Sequence, residues 1–316
     1  MRWGWRIDVF ILLTGRLKRL KRVKRLSRND NKKVKWGTKE FTNHLFQYYS
    51  KQSELLEELY KYQFEELKKK PNERVDSLYL LLYSMHDTAQ SVGMLAMNQK
   101  INESYMLARA LLEKIINYIF LLYCDEEDYR RYLLYTKQKS YSNLNKSIRV
   151  GELIAELKWT GNFDLDSDPE LKKAVDLFTS EKGKSIKRWT NKNIVKLLPL
   201  IEQRSDVDIR PLMLSVLAIY DDASEALHGT LYGTIFQIGL FSGGNIKTKK
   251  QMISSVHGQL SLLFLSLGSC IDSLIGAINK VFSIEELKVR SKENLDSLKV
   301  LDQKTRRDKN SWNVKY

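Results

Sequence analysis

The sequence predicts an all-α protein, a large helical bundle that carries a basic amphipathic arm at its N-terminus. Two observations predict this fold class. Apolar residues recur at helical spacing over long stretches, and only four prolines interrupt 316 residues, which leaves few turns for an all-β chain. The hydrophobic content of 43% and the charged content of 29% are typical of a globular protein that is long enough to bury a substantial core.

The net charge of +15 lies almost entirely in the first 39 residues. This stretch holds fourteen lysines and arginines and two acidic residues, whereas the other 277 residues hold 39 basic and 36 acidic side chains. The basic composition therefore indicates an anionic partner for the arm and says little about the rest of the chain.

The arm, residues 1–37, reads "MRWGWRIDVFILLTGRLKRLKRVKRLSRNDNKKVKWG". Leu13, Leu17 and Leu20 follow helical spacing among basic residues, which predicts a cationic amphipathic helix. Its apolar stretch is too short to span a membrane, and no small-residue cleavage site precedes the basic run, so a secretory signal is not expected. We therefore expect a cytoplasmic protein that can also bind peripherally to the inner face of the membrane through its arm.

Three interpretations of the arm remain open. It can lie on an anionic membrane with its tryptophans at the headgroups, bind the phosphates of RNA or DNA, or dock its leucine stripe on the body. The residues expected to contact a nucleic acid or a membrane are Trp3, Trp5, Arg16, Arg19, Lys21, Arg22 and Arg25. A protein partner or a homo-oligomer is a further expectation.

The first part of the body predicts four consecutive helices. Thr38 is an N-cap candidate for a helix that Pro71 ends, and a second helix occupies residues 73–98. Residues 102–124 are apolar nearly all round, which predicts a central helix, and a charged helix follows at once.

The second part is more broken until residue 208, although Pro169 after Asp168 marks a new helix start. Long apolar helices return after Pro211, and residues 251–283 predict a buried bundle helix that Asp272 interrupts. The predicted domains are the arm at 1–37, the helical core at 38–283, and a charged C-terminal helix and tail at 284–316. The two cysteines, Cys124 and Cys270, are expected to be reduced and buried.

Two groups of polar residues stand out among these apolar helices. In "YDDASEALHG", Asp221, Ser224, Glu225 and His228 fall on one stripe of a helix. On the central helix, Arg109 and Glu113 lie one turn apart. Burying either group without partners would be costly, so we expect the two groups to meet. In that arrangement Arg109 bridges Glu113 to Asp221, Asp222 or Glu225, and Ser224 and His228 complete the network.

The stripe permits several chemistries. A Ser224–His228 nucleophile lacks both a strand-to-helix elbow and an oxyanion loop. Glu225 and His228 form half of a di-iron motif, but no other histidine has a glutamate three residues before it. We therefore expect no metal and no cofactor.

Metal-free RNA cleavage stays open, with His228 as the general acid or base and Arg109 stabilising charge on phosphate. The catalytic candidates are Arg109, Glu113, Ser224, Glu225 and His228. The opposing interpretation is a structural polar network that holds the helices in register. Trp189 can stack on a base or anchor its loop to the core.

Three blocks together resemble an uncharacterised all-helical prokaryotic family known as a domain of unknown function. They are "ARALLE" at 108–113, "RWTNKNI" at 188–194 and "YDDASEALHG" at 220–229. The resemblance implies a helical fold and a shared pattern of Arg109, Glu113, Trp189, Ser224 and His228. It implies a role in defence or toxicity without an established activity.

A more distant similarity is to the helical ribonucleases of the HEPN superfamily, whose R-x4–6-H motif is missing here because the nearest arginine before His228 is Arg210. The sequence thus predicts a prokaryotic defence or toxin-like effector that acts as a metal-independent ribonuclease. The alternative is a non-enzymatic binding or membrane-active protein in which the arm makes the functional contact and the polar cluster is structural.

Overall fold

The computed structural model describes residues 36–69, 73–158, 165, 167–180, 185–238 and 248–306. In chain order the elements are α1 (Lys39–Lys69), α2 (Glu73–Met97), α3 (Ile101–Tyr123), α4 (Glu126–Leu144), β1 (Asn145–Val150), β2 (Leu153–Lys158), α5 (Pro169–Leu177), α6 (Ile194–Ser205), α7 (Arg210–Leu227), α8 (Leu231–Gln237), α9 (Lys249–Phe282) and α10 (Glu285–Arg306). The predicted all-α class is confirmed, because these elements are helices apart from one small two-stranded sheet.

The chain divides into two compact units. The first combines the N-terminal part, up to Leu122, with the part from Leu197 onward, and the second is Tyr123–Lys196. The predicted boundaries at residues 37 and 283 are not tested by this division and stay a prediction.

In the first unit α9 is the central helix, in contact with α1, α7 and α10, while α2 packs on α1 and α8 on α7. A capping box begins α9, since Thr248 and Gln251 each accept a hydrogen bond from the backbone N–H of the other. Asp272, the one acidic residue in the apolar part of α9, accepts a hydrogen bond from the Ser291 hydroxyl of α10. That bond compensates part of the cost of burying a carboxyl group.

Within the described part of the chain, α9 is the one helix that is long and apolar enough to cross a membrane, with a mean hydropathy of 1.8 over its most apolar 18 residues. Of that window, 78% is buried inside the protein. The core helix of a globular protein has the same length and composition, and the prediction of a buried bundle helix is confirmed.

The start of α1 and its buried face follow from local sequence signals. The Thr38 hydroxyl accepts a hydrogen bond from the Phe41 N–H at 3.3 Å, as an N-cap should. Leu55 and Leu59, one turn apart, are fully buried and give α1 its core-facing side.

The second unit contains α4, the two strands and α5, around a small core of Leu134, Ala174 and Phe178. Asp168 caps α5 by accepting the Leu171 N–H at 3.0 Å, which confirms the helix start predicted at Pro169. Cys124 and Cys270 are buried thiols that are not joined in a disulfide, as expected.

The sequence prediction describes the chain as broken up to residue 208, with one new helix start at Pro169, so it missed both strands and also helix α6. β1 and β2 pair antiparallel with Val150 opposite Leu153, around a turn in which Gly151 has φ +63°. The period-two alternation of Ile148 and Val150 was the available signal. It is weak because these side chains are 63% and 68% exposed, so no buried face reinforces the pattern.

Candidate polar site between helices α3 and α7

The candidate site is built around Arg109 on α3. Glu113 lies one turn further along the same helix face, and the Arg109 Nε donates to its Oε1 at 3.0 Å. Residues four apart on a helix are neighbours, so this pair was predictable from spacing alone.

The same guanidinium group reaches α7 through two more hydrogen bonds. Its Nη1 donates to the Ser224 hydroxyl, and its Nη2 donates to the Tyr220 hydroxyl at 2.9 Å. The guanidinium carbon also lies 3.9 Å from the centre of the Tyr220 ring, within cation–π distance. The polar groups of α3 and α7 therefore meet, as predicted. We call Arg109, Glu113, Tyr220 and Ser224 the Arg109 cluster.

Tyr220 is the member of the cluster that sequence reasoning missed. It lies one turn before Ser224, on the same face of α7, and its backbone carbonyl accepts the Ser224 hydroxyl at 2.9 Å. The i, i+4 spacing to Ser224 was the signal that would have found it.

The acidic residues of α7 do not join Arg109, which corrects the expectation that one of them would. Asp222 instead accepts a hydrogen bond from the Tyr232 hydroxyl of α8 at 3.0 Å. Burial raises the pKa of the Asp222 carboxyl and outweighs the opposite effect of this hydrogen bond, and the charges of Asp221 and Glu225 raise it further. Burial and the nearby Asp222 raise the pKa of Tyr232 to about 12.

His228 is also outside the cluster, contrary to prediction. The helix α7 ends at Leu227, and His228 is its C-cap residue, with an exposed side chain and a backbone N–H that bonds to the Ser224 carbonyl at 3.0 Å. No hydrogen bond or ion pair reaches its imidazole from the residues that the structure describes. Asp221 is exposed too, and Glu225 is half-buried. Tyr220 and Ser224 face Arg109, whereas Asp221 and His228, at the other positions of the predicted stripe, are exposed to solvent.

Comparison with known families matches residues 76–245 to the family of unknown function DUF5677. The match covers more than half of the chain. The chain belongs to this family. No curated protein and no solved structure matches it significantly.

The region matched to DUF5677 contains all three sequence blocks on which the resemblance was based, and every member of the Arg109 cluster. The arm, α1 and α9 lie outside it. DUF5677 membership therefore establishes the family of the α2–α8 part and brings no activity with it.

Trp189, in the second unit of this DUF5677 protein, is 8% exposed. Its ring packs edge-on against Tyr132 with the ring centres 5.6 Å apart, and its carbonyl accepts the Arg131 Nε at 2.8 Å. These contacts anchor the loop to α4, which is the second of the two predicted roles. Stacking on a base would require the ring to leave this packing.

The arm residues Trp3, Trp5, Arg16, Arg19, Lys21, Arg22 and Arg25 lie outside the described residues. Among the residues that are described, no three His, Cys, Asp or Glu side chains come together as metal ligands do.

Proposed function

We propose that this DUF5677 protein is a binding protein of anionic membrane surfaces, with the basic arm as the contact and the helical body as its support. The observation that carries the proposal is that the arm combines a high positive charge with tryptophans and a leucine stripe. The arm's net charge is far above that of the nearly neutral remainder of the chain, and its tryptophans, apolar run and leucine stripe accompany that charge.

The apolar residues favour a membrane over a nucleic acid. Phosphate contacts need basic and polar groups, and a leucine stripe adds nothing to them. An interfacial helix needs both faces, since its apolar side enters the headgroup region while each lysine or arginine near an anionic surface contributes about 1 kcal/mol. Trp3 and Trp5 are the residue type that prefers this depth.

The Arg109 cluster supports the same proposal, because its hydrogen bonds are those of a structural contact between helices. Arg109 bonds to a carboxylate and two hydroxyls on two helices, an arrangement suited to holding α3 and α7 together. The histidine that catalysis would need lies outside the cluster.

Co-sedimentation of the full chain with vesicles tests the proposal. We expect binding to phosphatidylcholine vesicles that contain phosphatidylserine, none to phosphatidylcholine alone, and weaker binding as salt is added. The double substitution Trp3→Ala, Trp5→Ala should weaken the binding by roughly tenfold, because the arm then loses its deepest apolar contacts.

Labelled RNA in the same assay separates the alternatives. If RNA binds with a steep salt dependence, the tryptophan substitutions leave that binding unchanged, and anionic vesicles do not bind, the membrane proposal is wrong and the arm is a nucleic-acid ligand.

A metal-independent ribonuclease is the second candidate, and one observation favours it. The Arg109 side chain stays 24% exposed, and its three hydrogen bonds leave other N–H donors of the guanidinium that a phosphate can use beside Ser224. Loss of total RNA that persists in EDTA and disappears in His228→Ala would establish this activity. Action on either target would suit the prokaryotic defence or toxin-like role that the sequence predicts.

A further inference from the structure

A groove of about 450 Å³ runs along the surface between α1 and α2. This volume lies in the range of ligand and peptide sites. Both apolar and polar residues line it; they include Phe46, Tyr49, Glu54, Glu57, Met94 and Met97. The Tyr49 hydroxyl donates to the Ala89 carbonyl of α2 at 2.6 Å, so the floor of the groove is held by both helices.

Two exposed methionines distinguish this groove from an ordinary helix–helix junction. Met94 is 62% exposed and Met97 is 46% exposed, one turn apart on α2. Methionine is flexible and polarizable, and it is used at surfaces that receive apolar side chains of another helix. On the α1 side the groove has the exposed carboxylate of Glu54, beside Glu57, which pairs with Lys61 at 2.6 Å.

The arm of this chain has the complementary chemistry. Leu13, Leu17 and Leu20 are spaced i, i+4 and i+7, which is the pattern by which an amphipathic helix fills an apolar groove. Arg16 and Arg19 lie among them and can pair with Glu54 at the edge of the groove. Charge and apolar pattern therefore match on both partners.

The connection between arm and body allows the contact. Trp36, the first described residue, packs against Phe41 at a ring-centre distance of 5.3 Å and so lies beside the first turn of α1. The fifteen residues between Leu20 and Trp36 can span up to ~50 Å. The groove begins at Phe46 and extends ~16 Å along α1 to Glu57. Because the arm is tethered, its effective concentration at the groove is in the ~mM range.

We propose that the arm docks its leucine stripe into the α1–α2 groove when no membrane is present, and that anionic lipid releases it. The docking is argued from the groove and the arm sequence alone. The role of the released arm rests on the proposed function, which is binding to an anionic membrane. The same leucine face cannot lie in the groove and in a membrane at once, so the two contacts exclude each other. The groove is then a self-inhibitory site that makes membrane binding depend on enough anionic lipid to outcompete it.

Trypsin digestion of the full chain without vesicles tests the docking, since the arm is rich in lysine and arginine. We expect slow cleavage of the arm in the unchanged protein. Met94→Lys should raise the rate of arm cleavage, followed by mass spectrometry, by roughly tenfold, because cleavage follows the population of released arm and the new charge repels it. Leu80→Lys is the matched control, since Leu80 is 68% exposed on the same helix and outside the groove, and it should leave the rate unchanged.

Equal rates of arm cleavage in all three proteins would overturn the docking. Protection that disappears on dilution would also overturn it as an intramolecular contact, because it would place the arm on a second copy. Vesicle binding separates the two proposals: Met94→Lys should bind anionic vesicles more tightly than Leu80→Lys. If neither binds but the protease result holds, the docking stands and the membrane proposal is wrong.

Discussion

At residue 109 one guanidinium group bonds to three oxygen atoms on two helices, and this geometry decides what each nearby substitution should do. Lysine has one compact ammonium group, which cannot reproduce the planar, divergent donors of arginine or its stacking on Tyr220. Arg109 is therefore expected to contribute to stability through geometry as well as charge.

We predict that Arg109→Lys lowers the free energy of unfolding by about 1–3 kcal/mol, because partly buried hydroxyl and carboxylate acceptors lose their donor. His228→Ala should leave the melting temperature unchanged, since the imidazole is exposed and outside the cluster. Thermal unfolding of both variants checks this. A large destabilisation by His228→Ala would mean that the imidazole has a structural partner and would contradict the site described above.

Asp222 should make stability depend on pH. Its pKa is raised in the folded protein, so the folded state holds the proton more tightly than the unfolded chain does. The contribution of Asp222 to stability is therefore fully present below the unfolded pKa of about 3.9 and is lost as the pH rises through the folded value. We predict that Asp222→Asn, which can still accept from Tyr232, stabilises the protein at neutral pH and that this gain vanishes near pH 4. Chemical denaturation at both pH values measures it, and a gain that is the same at both would exclude this carboxyl as the cause.

At the scale of elements, two glycines of α9 differ in their surroundings. Gly268 leaves room for a neighbouring side chain, whereas the space beside Gly276 is empty. A Cβ atom built on Gly268 would lie 2.3 Å from Cε1 of Tyr48, whose ring is fully buried on α1. A Cβ atom on Gly276 would meet nothing within 4 Å. Two glycines of one helix thus differ in packing and share the same helical backbone.

We predict that Gly268→Ala destabilises the protein by about 1–3 kcal/mol, because Tyr48 has to move in a packed core. Gly276→Ala should stabilise it by about 0.5–1 kcal/mol through the lower entropy of the unfolded chain. The two single variants control for each other in the same denaturation experiment. Equal effects would show that the contact between α1 and α9 is looser than described.

Most element boundaries could be predicted because their causes are local. Thr38 and Asp168 cap the helices that they precede, and the apolar spacing of α1, α3 and α9 identifies their buried faces. The hairpin β1–β2 could not be predicted in this way, because its aliphatic side chains face solvent and a short alternating pattern competes with the surrounding loop signals.

At the scale of the whole molecule, charge and fold are separate features of the chain. The α2–α8 region belongs to DUF5677, whereas the arm that carries most of the net charge lies outside the matched residues. The proposed membrane contact depends on this arm, and the proposed groove contact depends on the arm together with α1 and α2. The Arg109 cluster belongs to the region shared with the family.

The sequence by itself determined the helical class, the positions of most helices, the burial of α9 and the concentration of positive charge in residues 1–39. Each of these depends on composition or on residues within a few turns of one another. Only the tertiary structure decided that Arg109 bonds to Ser224 and Tyr220, more than a hundred residues away, and that Asp222 accepts a hydrogen bond from Tyr232. The physical reason is that helical spacing says which side chains share a face, whereas the rotation and crossing of helices choose which face meets which.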